Sequence, residues 1–292
     1  MTDTKLPGGT FKLANDLELS RMGYGAMQLA GPGVFGPPRD VDEAIRVLHE
    51  VIALGINHID TSDFYGPHIT NQIIKRALYP YPKTLHIITK VGARRDKDGG
   101  WPHARSPREL RQAVLDNLEN LGLESMDVVN LRLGGGKDGH SQEDGSVAET
   151  FGAMAKMQKE GLIKHLGIST VSAEQIAEAQ SIAPIVCVQN FYNIANRGDD
   201  ALIDSLAKQG IAYVPYFPLG GFSPLQSEIL DSVAKRLNAT PMAVALTWLL
   251  QRSPNILLIP GTSSVQHLKD NVAGAGLILS DDDVRELDSI AK

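Results

Sequence analysis

A chain of 292 residues, 42% of them hydrophobic, has the size of one α/β barrel and can bury a large core. Its net charge is −6 with acids and bases interspersed, which gives no basis for a nucleic-acid or anionic-membrane partner and makes small-molecule chemistry the default. The first residues lack the apolar core of a secretory signal, and the late apolar run 243–250 is too short to span a bilayer. A soluble, cytoplasmic protein is expected, as a monomer or a homo-oligomer.

Residues 10–19 alternate around Asn15-Asp16 and predict a β-hairpin ahead of the main fold. From Arg21 a strand-then-helix rhythm begins. The first strand is expected at 22–29, and the helix at 41–54 carries apolar residues at 44, 45, 47, 48, 51, 52 and 54, a helical period stopped by Gly55. The second strand covers 57–61 and its helix 70–78, ended by Pro80 and Pro82. The third strand, 85–91, leads through a polar loop to Ser106-Pro107-Arg108-Glu109, a capping box with proline at the first helical position, and a helix to 121. Strands four, five and six are expected at 126–133, 164–169 and 185–189, with helices at 147–160, 172–182 and 199–209. Strand seven, 211–216, precedes helices at 227–237 and 240–251. Strand eight, 255–259, precedes a helix from Ser264, and Ser280 opens a last one.

Eight apolar strands, each followed by a helical pattern, have both faces covered, as a closed parallel sheet requires. The expectation is a (β/α)₈ TIM barrel with an N-terminal β-hairpin, one domain over residues 1–292. Chemistry in such barrels sits at the carboxyl ends of the strands. Asp60, Lys90, Ser169, Gln189, Tyr216 and the run 260–264 fall there.

Several motifs are set aside on physical grounds. Gly31-Pro32-Gly33-Val34-Phe35-Gly36 matches a dinucleotide-binding glycine pattern, but Pro32, Pro37 and Pro38 leave too few amide donors to cradle a pyrophosphate. Tyr79 and Lys83 have a short-chain-dehydrogenase spacing, and Pro80 and Pro82 forbid the helix it needs. The histidines, including His49 beside Glu50, show no ligand spacing, so no metal is expected. No serine has the Gly-x-Ser-x-Gly frame, which disfavours covalent hydrolysis. The single cysteine, Cys187, excludes an intramolecular disulfide and reads as a buried thiol.

What remains is an acid, a phenol and an ammonium: Asp60, Tyr65 and Lys90. A tyrosine with a pKa of about 10 donates protons readily, a neighbouring ammonium lowers that pKa, and an aspartate holds the ammonium charged. The same residues also read as a barrel salt bridge with Tyr65 packed in a loop. The residues alone leave both readings open.

Taken together, the segments Met22-Gly-Tyr-Gly25-Ala26-Met27, Gly55-Ile-Asn-His-Ile-Asp60-Thr-Ser-Asp-Phe-Tyr65-Gly66, Thr89-Lys90-Val-Gly92, Gly161 to Thr170, Val188-Gln189-Asn-Phe-Tyr-Asn193, Pro215-Tyr216-Phe-Pro218-Leu219-Gly220 and Ile259 to Ser264 with Asn271 resemble the aldo-keto reductases over essentially the whole chain. The resemblance implies a barrel that binds a nicotinamide cofactor without a Rossmann domain and reduces a small-molecule carbonyl by hydride transfer. It makes Tyr65 the general acid, Lys90 its partner and Asp60 the orienter. Ser169, Thr170 and Gln189 would hydrogen-bond the carboxamide, with threonine where the family usually has asparagine. Tyr216 would stack on the nicotinamide, and Gly25, Ala26 and Met27 join the cofactor set. Pro218, Leu219, Gly220 and Gly221 would line the pyrophosphate. Gly261, Thr262, Ser263, Ser264, His267, Asp270 and Asn271 would meet the adenosine end.

Departures from the family pattern carry their own expectations. The histidine that closes strand four in the family is missing, with glycine expected at or beside its position in Arg132-Leu-Gly134-Gly135. Arg132 or His140 would supply the lost donor. Asn71 stands where glutamate is common, and His267 where an arginine often grips the 2′-phosphate. Hydroxyls and amides at a helix start still suit a phosphate, so NADPH is preferred to NADH. The loop from Arg94 to Trp101 would lay Trp101 over the pocket, which suits an aromatic or anionic carbonyl compound, and pyridoxal, reduced by some bacterial members, is one candidate. The missing histidine also leaves a second class open: a nicotinamide-binding regulatory protein with little turnover, like the potassium-channel β subunits of this fold.

Overall fold

Short strands whose side chains alternate between two apolar environments decide the architecture. The computed structural model describes residues 6–135, 141–221 and 225–291. An antiparallel hairpin, β1 (Thr10–Ala14) and β2 (Leu17–Ser20), turns at Asn15-Asp16. Then β3 (Tyr24–Gly25), β4 (His58–Asp60), β5 (His86–Val91), β6 (Met126–Arg132), β7 (Ile163–Ser169), β8 (Ile185–Gln189) and β9 (Ala212–Tyr213) pair in parallel, in chain order. The ring closes through an eighth segment: Ile256 bridges Tyr213, Leu258 bridges Met22 and Gly261 bridges Gly25. Around it lie α1 (Val41–Ala53), α2 (Ile69–Leu78), α3 (Pro107–Leu121), α4 (Ala148–Lys159), α5 (Ala173–Ile182), α6 (Asp200–Lys208), α7 (Glu228–Arg236), α8 (Pro241–Arg252), α9 (Val265–Gly274) and α10 (Asp281–Leu287). This is the (β/α)₈ barrel with an N-terminal hairpin.

Three strands fall furthest short of the lengths that the sequence predicts. The expected strand at 22–29 pairs only at Tyr24–Gly25, and residues 26–29 wind into a 3₁₀ turn. The cause is a close approach: a Cβ on Gly25 would lie 2.5 Å from the Ile259 carbonyl oxygen, so the ring pinches there and the chain leaves it. The expected strand at 211–216 is a ladder only over Ala212–Tyr213, although the Val214 and Tyr216 amides still donate to Val188 and Asn190. Residues 255–259 contribute bridges rather than a continuous ladder.

The helix boundaries follow local chemistry. The Ser106 box forms, with Ser106 Oγ accepting from the Glu109 amide and the Glu109 carboxylate accepting from the Ser106 amide. Within residues 31–36 only Pro32–Val34 form a 3₁₀ turn, and α1 starts only at Val41. No glycine-rich helix start exists there to hold a pyrophosphate.

Inside the barrel the strands bury two zones. Ile88, Val128, Val186, Ala212, Val214 and Leu257 form an apolar floor with Leu13, Leu17 and Leu19 of the hairpin. The hairpin is tied to the start of β4, because Asn57 Nδ2 donates to the Glu18 carbonyl at 3.1 Å and the Ser20 amide donates to Asn57 Oδ1 at 2.8 Å. It therefore covers the amino-terminal end of the strands. Further along the strands, toward their carboxyl ends, the inward side chains become polar: Asp60, Lys90, Asn130, Arg132, Ser169 and Gln189 are all buried. The outward set, including Ile87, Val129, Leu131, Ile168 and Val188, packs on the helices. Cys187 is buried, with burial pushing its thiol up to about 12, as an inert thiol should be. Among the described residues no helix is long and apolar enough to cross a membrane.

Candidate active site

The period-two alternation that builds the floor also aims the polar side chains above it. Asp60 is the last residue of β4, and Lys90 sits inward on the neighbouring strand β5. Lys90 Nζ donates to Asp60 Oδ1 at 2.5 Å and to the Thr61 carbonyl at 3.0 Å, and Gln189 Nε2 donates to Asp60 Oδ2 at 2.9 Å. Both carboxylate oxygens are thus engaged. Asp60 and Lys90 are 3% and 5% exposed, so each charge depends on the other; removing one partner of such a pair costs about 3–5 kcal/mol.

Tyr65 follows β4 through a tight turn, its amide donating to the Ser62 carbonyl at 3.1 Å. Lys90 Nζ lies 5.1 Å from the centroid of its ring. Burial pushes the phenol above its usual 10.0, while Lys90 and, more weakly, Arg132 pull it down. Burial also works against the Lys90 ammonium, but Asp60 and Tyr65 outweigh it and its pKa rises. The protein alone thus holds a neutral phenol beside a charged ammonium. The expected lowering by Lys90 is present, but desolvation exceeds it.

A cavity of about 630 Å³ opens above these groups at the carboxyl ends of the strands. The structure brings Asp60, Tyr65, Lys90, Trp101 and Arg132 to its wall together with Gly25, Met27, Ser169, Gln189, Tyr216, Pro218, Leu219, Gly221, Gly261 and Ser263. Other expected residues lie behind or beside that wall. Ala26 is buried in the 3₁₀ turn and Thr170 behind Ser169, its hydroxyl 3.4 Å from the Tyr216 hydroxyl. Gly220 sits in the loop after Tyr216. Thr262 Oγ1 accepts from the Ser264 amide, and Ser264 caps α9. His267, Asp270 and Asn271 ride on α9. His140 lies outside the described residues.

The end of β6 turns the side chain of Arg132, one of the two donors offered by the sequence, into the cavity; Gly134 follows beyond the strand and its carbonyl accepts from Arg132 Nη1 at 3.5 Å. Alternation explains it, because Val128, Asn130 and Arg132 share the inward face. Asn71, at the usual glutamate position, is buried between Thr61 and Asn117, accepting from the first and donating to the second.

Sequence reasoning passed over Phe64 and Glu43, both in the wall. Phe64 meets Tyr65 edge-to-face at 5.5 Å and Trp101 edge-to-face at 5.6 Å; its place beside Tyr65 was the signal. Glu43 Oε1 accepts from the Val265 amide at the start of α9, at 3.1 Å, a pairing across 222 positions that no local pattern reveals.

The wall suits a nicotinamide. Gln189 Oε1 is buried without a hydrogen-bond donor among the described residues, and a carboxamide N–H would satisfy it. The Tyr216 ring, braced by Phe191 stacked at 5.8 Å, offers a flat apolar face at the same wall.

The chain is 62% identical to the pyridoxine 4-dehydrogenase of Escherichia coli K12 over 287 residues, covering 98% of this chain and 100% of that one. It is 39% identical to an uncharacterized oxidoreductase of Schizosaccharomyces pombe, covering 97% and 90% respectively. The structure superposes on the holo form of an aldo-keto reductase from Bacillus halodurans with a TM-score of 0.78 and 26% identity, over 97% of this chain and 96% of that one. Residues 21–292 match the Aldo/keto reductase family, and the chain belongs to it as a nicotinamide-dependent oxidoreductase.

Proposed function

We propose that the protein interconverts a small aldehyde or ketone and its alcohol with NADPH as cofactor and Tyr65 as the acid, with pyridoxal and pyridoxine as the first candidate pair. The observation that carries this reading is the Asp60 carboxylate, which holds Lys90 with one oxygen and Gln189 with the other while Lys90 faces the Tyr65 ring. The 62% identity to a pyridoxine 4-dehydrogenase supports the substrate.

Each residue then has a part. When bound, the cofactor would supply the hydride for the carbonyl carbon. Tyr65 gives its proton to the oxygen as charge develops there, and Lys90 stabilises the phenolate left behind. Asp60 keeps Lys90 charged and in place. Arg132 presents a second positive end toward the substrate oxygen, the part that a histidine plays in the family. Ser169, Thr170 and Gln189 would hold the carboxamide, with Tyr216 offering its ring face to the nicotinamide. Residues 218–221 would take the pyrophosphate, and residues 261–264 with His267, Asp270 and Asn271 the adenosine end.

The test is NADPH consumption with aromatic and aliphatic aldehydes, pyridoxal among them, by the wild type and Tyr65→Phe. The variant is expected to lose about 10²- to 10⁴-fold in kcat while binding NADPH as before. Wild-type turnover by Tyr65→Phe would overturn the role of the phenol. A wild type that binds NADPH and reduces nothing would make the protein a cofactor-binding regulator instead.

A further inference from the structure

The loop between β5 and α3 folds around its own side chains. The Asp96 carboxylate accepts from the Asp98 and Gly100 amides, and the Arg94 amide donates to the Pro102 carbonyl. Its arginine at 95 does not face the cavity. Arg95 Nη1 donates to the Val34 carbonyl at 3.0 Å, and Nη2 donates to the carbonyls of Gly33 at 3.0 Å and Gly99 at 2.7 Å. The guanidinium carbon lies 3.7 Å from the centroid of the Trp101 ring and 5.4 Å from that of Phe35. One cation thus joins the third strand-to-helix loop to the first, with an aromatic ring from each.

The receiving loop is built for it at a cost. Gly33 and Val34 both have left-handed backbone, φ 67° and 59°. For a β-branched residue this conformation is strained and persists only where the surroundings enforce it. Here the enforcing contacts are visible: the Val34 carbonyl takes Arg95 Nη1 and also the amide of Gly66, the residue after Tyr65. From Arg95 an unbroken run of ring contacts reaches the phenol, through Trp101 and Phe64 to Tyr65.

We propose that Arg95 is a positioning residue: by joining the two loops it fixes Trp101 as the ceiling over Tyr65 and so selects flat, aromatic carbonyl compounds. The inference rests on the reductase reading and goes past it, because it assigns the substrate preference to a residue outside the cavity wall. A fork is needed, since two nitrogens of one guanidinium donate to two successive carbonyls of one turn; the ammonium of a lysine cannot reproduce that.

The experiment is steady-state reduction of benzaldehyde and of propanal with NADPH by the wild type, Arg95→Met, Arg95→Lys and Trp101→Leu, each checked for native circular dichroism. In Arg95→Met the KM for benzaldehyde should rise about tenfold while kcat and the KM for propanal hold, the size expected for loss of one apolar wall of a pocket. Arg95→Lys should recover little of it. Trp101→Leu should lower the benzaldehyde-over-propanal ratio of kcat/KM by a similar factor, and the Arg95→Met, Trp101→Leu pair should lower it no further. Should Arg95→Met not fold, Arg95→Lys and Trp101→Leu decide the matter. An unchanged ratio, equal loss on both aldehydes, or full rescue by lysine overturns the positioning role and leaves the reductase reading standing. A wild type that reduces pyridoxal but neither of these aldehydes overturns the aromatic preference alone, and one that reduces none of the three overturns both.

Discussion

Asp60 divides its two oxygens between Lys90 and Gln189, and that division sets the proton chemistry of the site. Tyr65 and Lys90 both have folded-state pKa values raised above their ordinary 10.0 and 10.5. The native state therefore holds these protons more tightly than the unfolded chain does. The stability they contribute is complete below the unfolded values and is lost as pH rises through the folded ones. Carbonyl reduction should accordingly be independent of Tyr65 ionisation across the neutral range, with a decline only above about pH 10, while alcohol oxidation climbs toward that limit. A pH–rate profile in both directions checks this, and a reduction limb near pH 7 that belongs to Tyr65 would contradict it. At this scale the sequence exposed the acid, phenol and ammonium, because their residue types announce the chemistry. It hid which of Arg132 and Gly134 faces inward, since that depends on where β6 ends and alternation stops.

At the scale of elements, the hairpin and the helix caps were legible while three strands were not. Asn15-Asp16 between alternating segments and the Ser106 box are local signals with local causes. The strand at 22–29 failed because Met22, Tyr24, Ala26 and Leu29 are buried whether the chain runs straight or winds into a 3₁₀ turn. What decides between them is the contact of Gly25 with the opposite end of the chain at Ile259. The hairpin is more than an appendage, because Leu13, Leu17 and Leu19 complete the barrel floor. Leu19→Ala should therefore cost about 3 kcal/mol in urea unfolding while leaving the KM for an aldehyde unchanged. A loss under 1 kcal/mol would mean that the floor is sealed without it.

Across the whole molecule, the cavity joins residues from both ends of the chain, and its electrostatics are set there. Glu43, at the start of α1, places its carboxylate on the first amide of α9, and that hydrogen bond together with Arg46 holds it below the usual carboxylate range. A phosphate brought to this helix start must compete with that charge. Glu43→Gln should tighten NADPH binding by about threefold and leave NADH unchanged, read by fluorescence titration of each cofactor. An equal change for both would place the 2′-phosphate elsewhere. The acidic net charge gave no hint of this, because it averages over the surface what one carboxylate does at one amide.

The leucine-lined hairpin closes the amino-terminal end of the barrel, so the cavity has its mouth at the other end, beneath Trp101. Two ligands that share one doorway must pass through it in sequence. On the proposed reading a cofactor held at Gln189 and Ser169 would arrive first and depart last.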